Sequence, residues 1–197
     1  MVLALLTTIT QAQAAITQWK NADGGNDHYY GLTFPTVNPN WTNSKNLSVD
    51  NTYNGLLGHL ATITSGQENQ FIYDNFFNAL EGYPRVWIGA TDAVREGEWK
   101  WITDEPFLYN DWKAGAPNND NWQWNHLAEN FALIWHGDSP QPWGWNDSPD
   151  IIDNKKFGYL TEYEPKATAV PEPSSLITWA GLGLMMGAYA YYRKRKR

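Results

Sequence analysis

Apolar and polar positions along the chain divide it into short elements separated by long polar stretches. His28-Tyr29-Tyr30-Gly31-Leu32-Thr33-Phe34 is aromatic and bounded by polar runs, which predicts an edge strand. Trp41 to Gly55 carries a weak helical pattern with Leu47 on its apolar side, and Gly58-His59-Leu60-Ala61-Thr62-Ile63 is a short β-like run. Ser65-Gly66-Gln67-Glu68 matches a capping box, in which the Ser oxygen and the Glu side chain satisfy free amides at a helix start. Ile72, Phe76 and Leu80 then repeat at helical spacing and give that helix one apolar face. Val86-Trp87-Ile88-Gly89-Ala90 is a buried strand by composition. Gly97 to Ile102 alternates aromatic and polar residues, as a half-buried strand does. Phe131 to Trp135 and Phe157 to Tyr163 are the last predicted strands. The order is a strand, two helices, then short strands with long loops, an α+β pattern in which such loops usually carry function.

The longest polar stretch runs from Trp112 to Asp147 and is rich in Asn, Asp and Trp, with almost no Lys or Arg. Short side-chain oxygens at that density predict a surface loop region rather than core. They also suit a hard cation, which takes six to eight oxygen ligands from carboxylates, amide carbonyls, backbone and water.

Composition sharpens this reading. The chain has 197 residues, 42% of them hydrophobic, and the 12 Trp are expected to carry much of the packing. Net charge is −7, yet the last five residues, Arg193 to Arg197, are all basic; without them 9 Lys+Arg face 21 Asp+Glu. A globular part that acidic argues against nucleic acid and anionic surfaces as partners, and fits cations or neutral polar ligands. The absence of cysteine excludes thiolate metal sites, Cys nucleophiles and disulfides. No nucleophile elbow, P-loop or HExxH spacing is present, and His126 and His136 stand alone, so a non-catalytic protein is expected. Glu81, Asp92 and Asp104 read as solvated loop acids, and His59 as a satisfied structural His. Trp87, Trp99 and Trp101 read as core.

The ends carry addresses. Residues 1–14 combine the apolar run Val2 to Ile9 with the small-residue site Ala12-Gln13-Ala14, the tail of a secretory signal. Its positive n-region is missing, so a truncated start is expected. Residues 174–192 are uncharged; as a helix, 19 residues at ~1.5 Å each span about 28 Å, close to a bilayer's hydrocarbon core. The basic cluster 193–197 that follows would place that end in the cytoplasm. Val170-Pro171-Glu172-Pro173, the apolar stretch and the basic cluster together resemble the PEP-CTERM sorting signal of bacteria. The resemblance implies export, an exosortase-type membrane enzyme as partner, and cleavage near Pro171, Glu172 and Pro173. The membrane helix would then be transient, and the mature protein would end at the cell surface or in an exopolysaccharide matrix. Residues 166–173 read as the linker.

Within residues 17–165, five motifs occur in the order of the C-type lectin domain. They are Gly58 to Ile63 with the helix after it, Trp87-Ile88-Gly89-Ala90, Gly115-Ala116-Pro117-Asn118, Trp145-Asn146-Asp147 and Tyr159-Leu160-Thr161-Glu162. The resemblance implies two helices flanking a small antiparallel sheet, with long loops that bind calcium and sugar. Carried over, Asn118, Glu129, Asn146 and Asp147 match calcium-ligating positions, and Asn118, Glu129 and Asn146 also match sugar-binding ones. The family's disulfide positions hold Tyr53, Phe131, Asp150 and Thr161 here, and its Glu-Pro-Asn signature reads Ala116-Pro117-Asn118. One calcium carboxylate is therefore missing, which weakens the ion's hold; Asn119, Asp120 or Asn121 are the nearest substitutes. The proline of this motif is cis in the family. Trp122 and Trp124, in a polar insertion, either stack on sugar rings or shield the loop from water. The leading expectation is an exported lectin-like protein that binds carbohydrate, with calcium as cofactor. The alternative is a calcium-independent adhesion or matrix protein with the same fold and a protein partner.

Overall fold

The computed structural model describes residues 12–13, 15–77, 80, 84–120, 127–136, 143–151 and 156–165. Residues 1–11 and 14 of the signal segment, Glu81, Asn121, Trp122, Trp124, His126 and everything from residue 166 onward lie outside the described residues. That includes Pro171, Glu172, Pro173 and the apolar stretch 174–192. Among the described residues no helix is long and apolar enough to cross a membrane.

The described chain forms strands β1 (Ala12–Gln13), β2 (Thr17–Gln18) and β3 (Tyr29–Phe34), helix α1 (Trp41–Asp50), and strands β4 (Thr52–Tyr53) and β5 (Leu56–Leu60). Helix α2 (Gly66–Ile72) follows and runs into a π-helical turn, Tyr73–Phe77. Then come β6 (Arg85–Thr91), β7 (Lys100–Trp101), β8 (Phe131–His136), β9 (Trp143–Ser148) and β10 (Phe157–Tyr163). The sheet's main order is β1-β3-β10-β6-β8-β9, antiparallel except that β10 runs parallel to β6.

Each helix covers one face of this sheet, and strand alternation decides which side chains it meets. Ile72, Phe76 and Phe77 join Leu32, Val86, Ile88, Ala132, Ile134 and Leu160 in the larger core. Trp41 of α1 packs with Leu60, Trp87, Leu133, Phe157 and Tyr159 on the opposite face. The WIG motif holds the layers together: a Cβ on Gly89 would lie 2.7 Å from the Leu60 carbonyl oxygen, so only glycine permits this approach of β5 and β6. Trp41 Nε1 donates to the Ile88 carbonyl at 2.8 Å and anchors α1 beside it.

Several elements differ from the sequence reading. The strand of His28 to Phe34 is not an edge, because β3 pairs with β10 on one side and with β1 and β2 on the other. The helix of Trp41 to Gly55 stops at Asp50, and Asn54 and Gly55, both at positive φ, turn the chain into the β4–β5 hairpin. Leu47 is partly exposed, and α1 instead buries Trp41, Ser44 and Ser48. The polar stretch 112–147 is not loop throughout, since β9 occupies Trp143–Ser148 and its Trp145 is fully buried.

Non-covalent ties stand at the positions where the resemblance implied disulfides. Tyr53 packs on Tyr29 and Tyr163, with ring centroids 5.2 and 5.8 Å away. Phe131 lies against Trp41 at 4.5 Å, and Asp150 accepts from the backbone N–H and hydroxyl of Thr42 at the start of α1.

The capping box forms as predicted on the Ser65 side, whose hydroxyl accepts from Glu68 N–H. The Glu68 carboxylate reaches one residue further, to Thr64, and its other oxygen takes the Tyr30 hydroxyl at 2.5 Å. Burial, followed by the charge of Glu162, pushes the Glu68 carboxyl up to about 7 against its donors. Its folded pKa lies above its ordinary 4.5, so its stabilising contribution is complete below that value and is lost as pH rises through 7. Burial alone would lower the His28 imidazole, but the hydrogen bond and charge of Glu162 raise it, which acts in the same direction. In chelator, urea unfolding should show stability falling by up to about 3 kcal/mol between pH 5 and 8. Glu68→Gln should flatten most of that slope; parallel pH profiles in the two proteins would refute the assignment.

Candidate functional site

Strands β8 and β9 deliver the first part of the site. Their register sets Ala132 against Asp147 and Leu133 against Asn146. The second part arrives on the loop that follows Lys113, where Lys113 N–H donates to the Trp145 carbonyl and Trp145 N–H to that of Asp111. The Ala116–Pro117 peptide bond is cis, as the resemblance implied. Beyond it the loop folds back on the carboxylates: Asn118 and Asn119 N–H both donate to Asp147 Oδ2, at 2.9 and 2.7 Å.

Asn119 ties the loop together. Its Nδ2 donates to Glu96 Oε2 at 2.6 Å and its Oδ1 accepts from Glu129 N–H at 2.9 Å. Asp120 N–H in turn donates to Glu129 Oε2 at 2.8 Å. The four residues read from the sequence, Asn118, Glu129, Asn146 and Asp147, thus face a common cavity of about 170 Å³. Arg85, Asp120, Leu133, Trp135 and Ser148 complete its wall. The cavity is polar and open to solvent, with room for an ion and the hydroxyls of a ligand.

Sequence reasoning missed one part of the site. Asp92, read as a solvated loop acid, is 2% exposed, whereas Asp104 is exposed as expected. Asp92 Oδ2 accepts from Gly97 N–H, while Asp92 Oδ1 and Asp147 Oδ1 are both buried with no hydrogen-bond partner. Burial, with the charge of Asp147 added, raises the Asp92 carboxyl above its ordinary value, and Glu96 is raised by burial and by the charges of Asp92 and Asp147. Buried polar oxygens are almost always satisfied, and an unpaired buried carboxylate oxygen is costly. Asp147 lines the cavity, so its unpaired oxygen sits among amide and carboxylate oxygens of the kind a divalent cation satisfies, while Asp92 is linked to that set through the charge of Asp147. The motif Thr91-Asp92 directly after a buried strand was the available signal, since a strand end places its next residue at the sheet rim beside the loops.

Known proteins share this fold. Residues 51–157 match the profile described as the Lectin C-type domain. Halomucin of Haloquadratum walsbyi is 34% identical over 149 residues, which cover 69% of this chain and 1% of that protein. Perlucin-like protein of Mytilus galloprovincialis is 29% identical over 104 residues, 52% of this chain and 60% of that one. The chain therefore spans less than two thirds of either relative. The crystal structure of C-type lectin CEL-I from Cucumaria echinata superposes with a TM-score of 0.55 at 23% identity, covering 71% of this chain and 91% of that one. The mouse scavenger receptor C-type lectin carbohydrate-recognition domain gives 0.51 at 28% identity, covering 70% and 92%.

Proposed function

The chain belongs to the C-type lectin domain family, and from that premise we propose that it is an exported, non-catalytic carbohydrate-binding protein whose loop site works with calcium. The observation that carries the calcium reading is the partnerless buried oxygen Asp147 Oδ1 on the cavity wall. Asn118, Glu129, Asn146 and Asp147 are the side chains that would hold the ion. Asp120, on the same cavity wall, is the candidate to restore the carboxylate lost at Ala116. When bound, calcium would supply open coordination positions for two neighbouring sugar hydroxyls. Asn118 and Asn146 would hydrogen-bond those hydroxyls through their amides, and the Glu129 carboxylate would accept from them in charge-assisted bonds. Burial of Asp147 and Glu129, at 1% and 4% exposure, keeps these groups fixed before the ligand arrives.

The tail supports a destination rather than an activity. Pro171-Glu172-Pro173, the uncharged stretch 174–192 and the basic cluster 193–197 favour export and handling by an exosortase-type enzyme. On this reading the product reaches the cell surface or an exopolysaccharide matrix, whose polysaccharide is the natural ligand class.

Glycan-array binding by the full chain should disappear with a chelator and return with calcium. Glu129→Gln should reduce it at least tenfold, since it removes a charged acceptor from both ion and sugar. Binding that survives the chelator would contradict the calcium reading and favour the calcium-independent adhesion protein that Ala116 suggests, with Trp122 and Trp124 as the contact to examine.

A further inference from the structure

A second group of ligating side chains gathers at the C-terminal end of β10, which lies three strands across the sheet from β9, and shares no residue with the loop cavity. Glu162 ends β10 on the side where it pairs with both β3 and β5, and the chain continues to Glu164. His28 enters just before β3, and His59 sits on β5 directly opposite Glu162. One ligating atom from each of His28, Glu162 and Glu164 lies within 4.8 Å of the others. His28 Nδ1 is 2.6 Å from Glu162 Oε1, and Thr62 N–H fixes the second oxygen of that carboxylate at 2.8 Å.

His59 supplies an independent observation. Its Nδ1 lies 2.9 Å from the Leu60 carbonyl, which can only accept, so Nδ1 carries the proton. In the neutral ring the lone pair of Nε2 then faces Glu164 Oε1 at 3.2 Å, a repulsive contact until a proton or a cation sits on that nitrogen. A cation held by the neighbouring trio, which His59 borders through Glu164 without joining it, would relieve that repulsion.

We propose that His28, Glu162 and Glu164 form a binding site for a divalent cation of the zinc class. Mixed imidazole and carboxylate ligation suits zinc, whereas calcium takes oxygen ligands alone, so this site and the loop cavity select different ions. Glu164 is 42% exposed and the His28 side chain 21%, which leaves an entry path. A bound ion would pin the end of β10 to the segment entering β3, where no cysteine is available to do so.

The test uses the untagged full chain and cobalt as a spectroscopic stand-in for zinc. Cobalt should produce visible d–d absorption that saturates at one equivalent, is displaced by zinc, and persists in a large excess of calcium. His28→Gln and Glu164→Gln should each weaken cobalt and zinc binding at least tenfold. Glu164 lies at the surface, so Glu164→Gln should fold normally, as circular dichroism would check. Absence of cobalt or zinc binding, displacement by calcium at comparable concentration, or unchanged affinity in both variants would each overturn the proposal.

Discussion

Trp145→Ala should cost about 3–5 kcal/mol of stability, the usual result of emptying a fully buried indole site. Trp101, Phe107, Tyr109 and Trp112 all pack around Trp145, with ring centroids 5.6, 6.4, 5.8 and 5.8 Å away. Its Nε1 also donates to Asn69 Oδ1 at 3.2 Å, so truncation leaves that acceptor of α2 without this donor. Domains of this kind hold only about 5–15 kcal/mol in total, so one substitution would remove about a fifth of it or more. At roughly 2–4 °C per kcal/mol, the melting temperature should fall by about 6–20 °C. The aromatic cluster joins β9 to the chain segment that leads into the loop. A loss below about 1 kcal/mol, the range of ordinary exposed substitutions, would show that this cluster is not the tie.

The second large effect concerns Asp147. In the full chain, calcium at about 10 mM is roughly 10–100 times a Kd of ~10⁻⁴–10⁻³ M, the range of extracellular modules. Binding to the folded state alone should then add about 1.4–2.7 kcal/mol, or roughly 3–10 °C in melting temperature. Asp147→Asn should abolish this shift. Its remaining carbonyl oxygen can still accept from Asn118 and Asn119 N–H, so the loop geometry has reason to survive. Without calcium the variant should be as stable as the wild type or more so, because it removes a buried charge that Asp92 and Glu96 both feel. That opposite sign in the two conditions separates a binding residue from one that merely supports the fold. A variant that keeps the calcium shift would move the ion away from Asp147.

Most of the fold could be read from the chain, and the exceptions have physical reasons. The strands Val86 to Ala90 and Phe131 to Trp135 were visible because burial on both faces requires apolar residues throughout. The WIG glycine and the Ser65 cap were visible because each solves a local backbone problem that few residues solve. By contrast, β9 was hidden: Trp143-Gly144-Trp145-Asn146-Asp147-Ser148 has low strand propensity, and only its pairing with β8 and the packing of Trp145 make it a strand. Helix α1 was misjudged on Leu47 because Ser44 and Ser48, with short side chains, let the helix approach the sheet where larger apolar residues would not fit. The convergence of Asn118, Glu129, Asn146 and Asp147 came from the resemblance, since no local pattern joins residues up to 29 positions apart. Asp92 was missed for a related reason. A lone acid after a strand looks solvated until its neighbours in space are known, and here those neighbours are Asp147 and the Gly97 amide.

The partnerless buried oxygen of Asp147, on the cavity wall with Asn118, Glu129 and Asn146, is the central expected ligand of the calcium ion. Calorimetric titration of the chelator-treated full chain with calcium measures this without reference to any sugar. Saturable binding with a Kd of ~10⁻⁴–10⁻³ M, absent from Asp147→Asn, is the expected result. A titration that shows no saturable binding, or the same binding in Asp147→Asn, would contradict it.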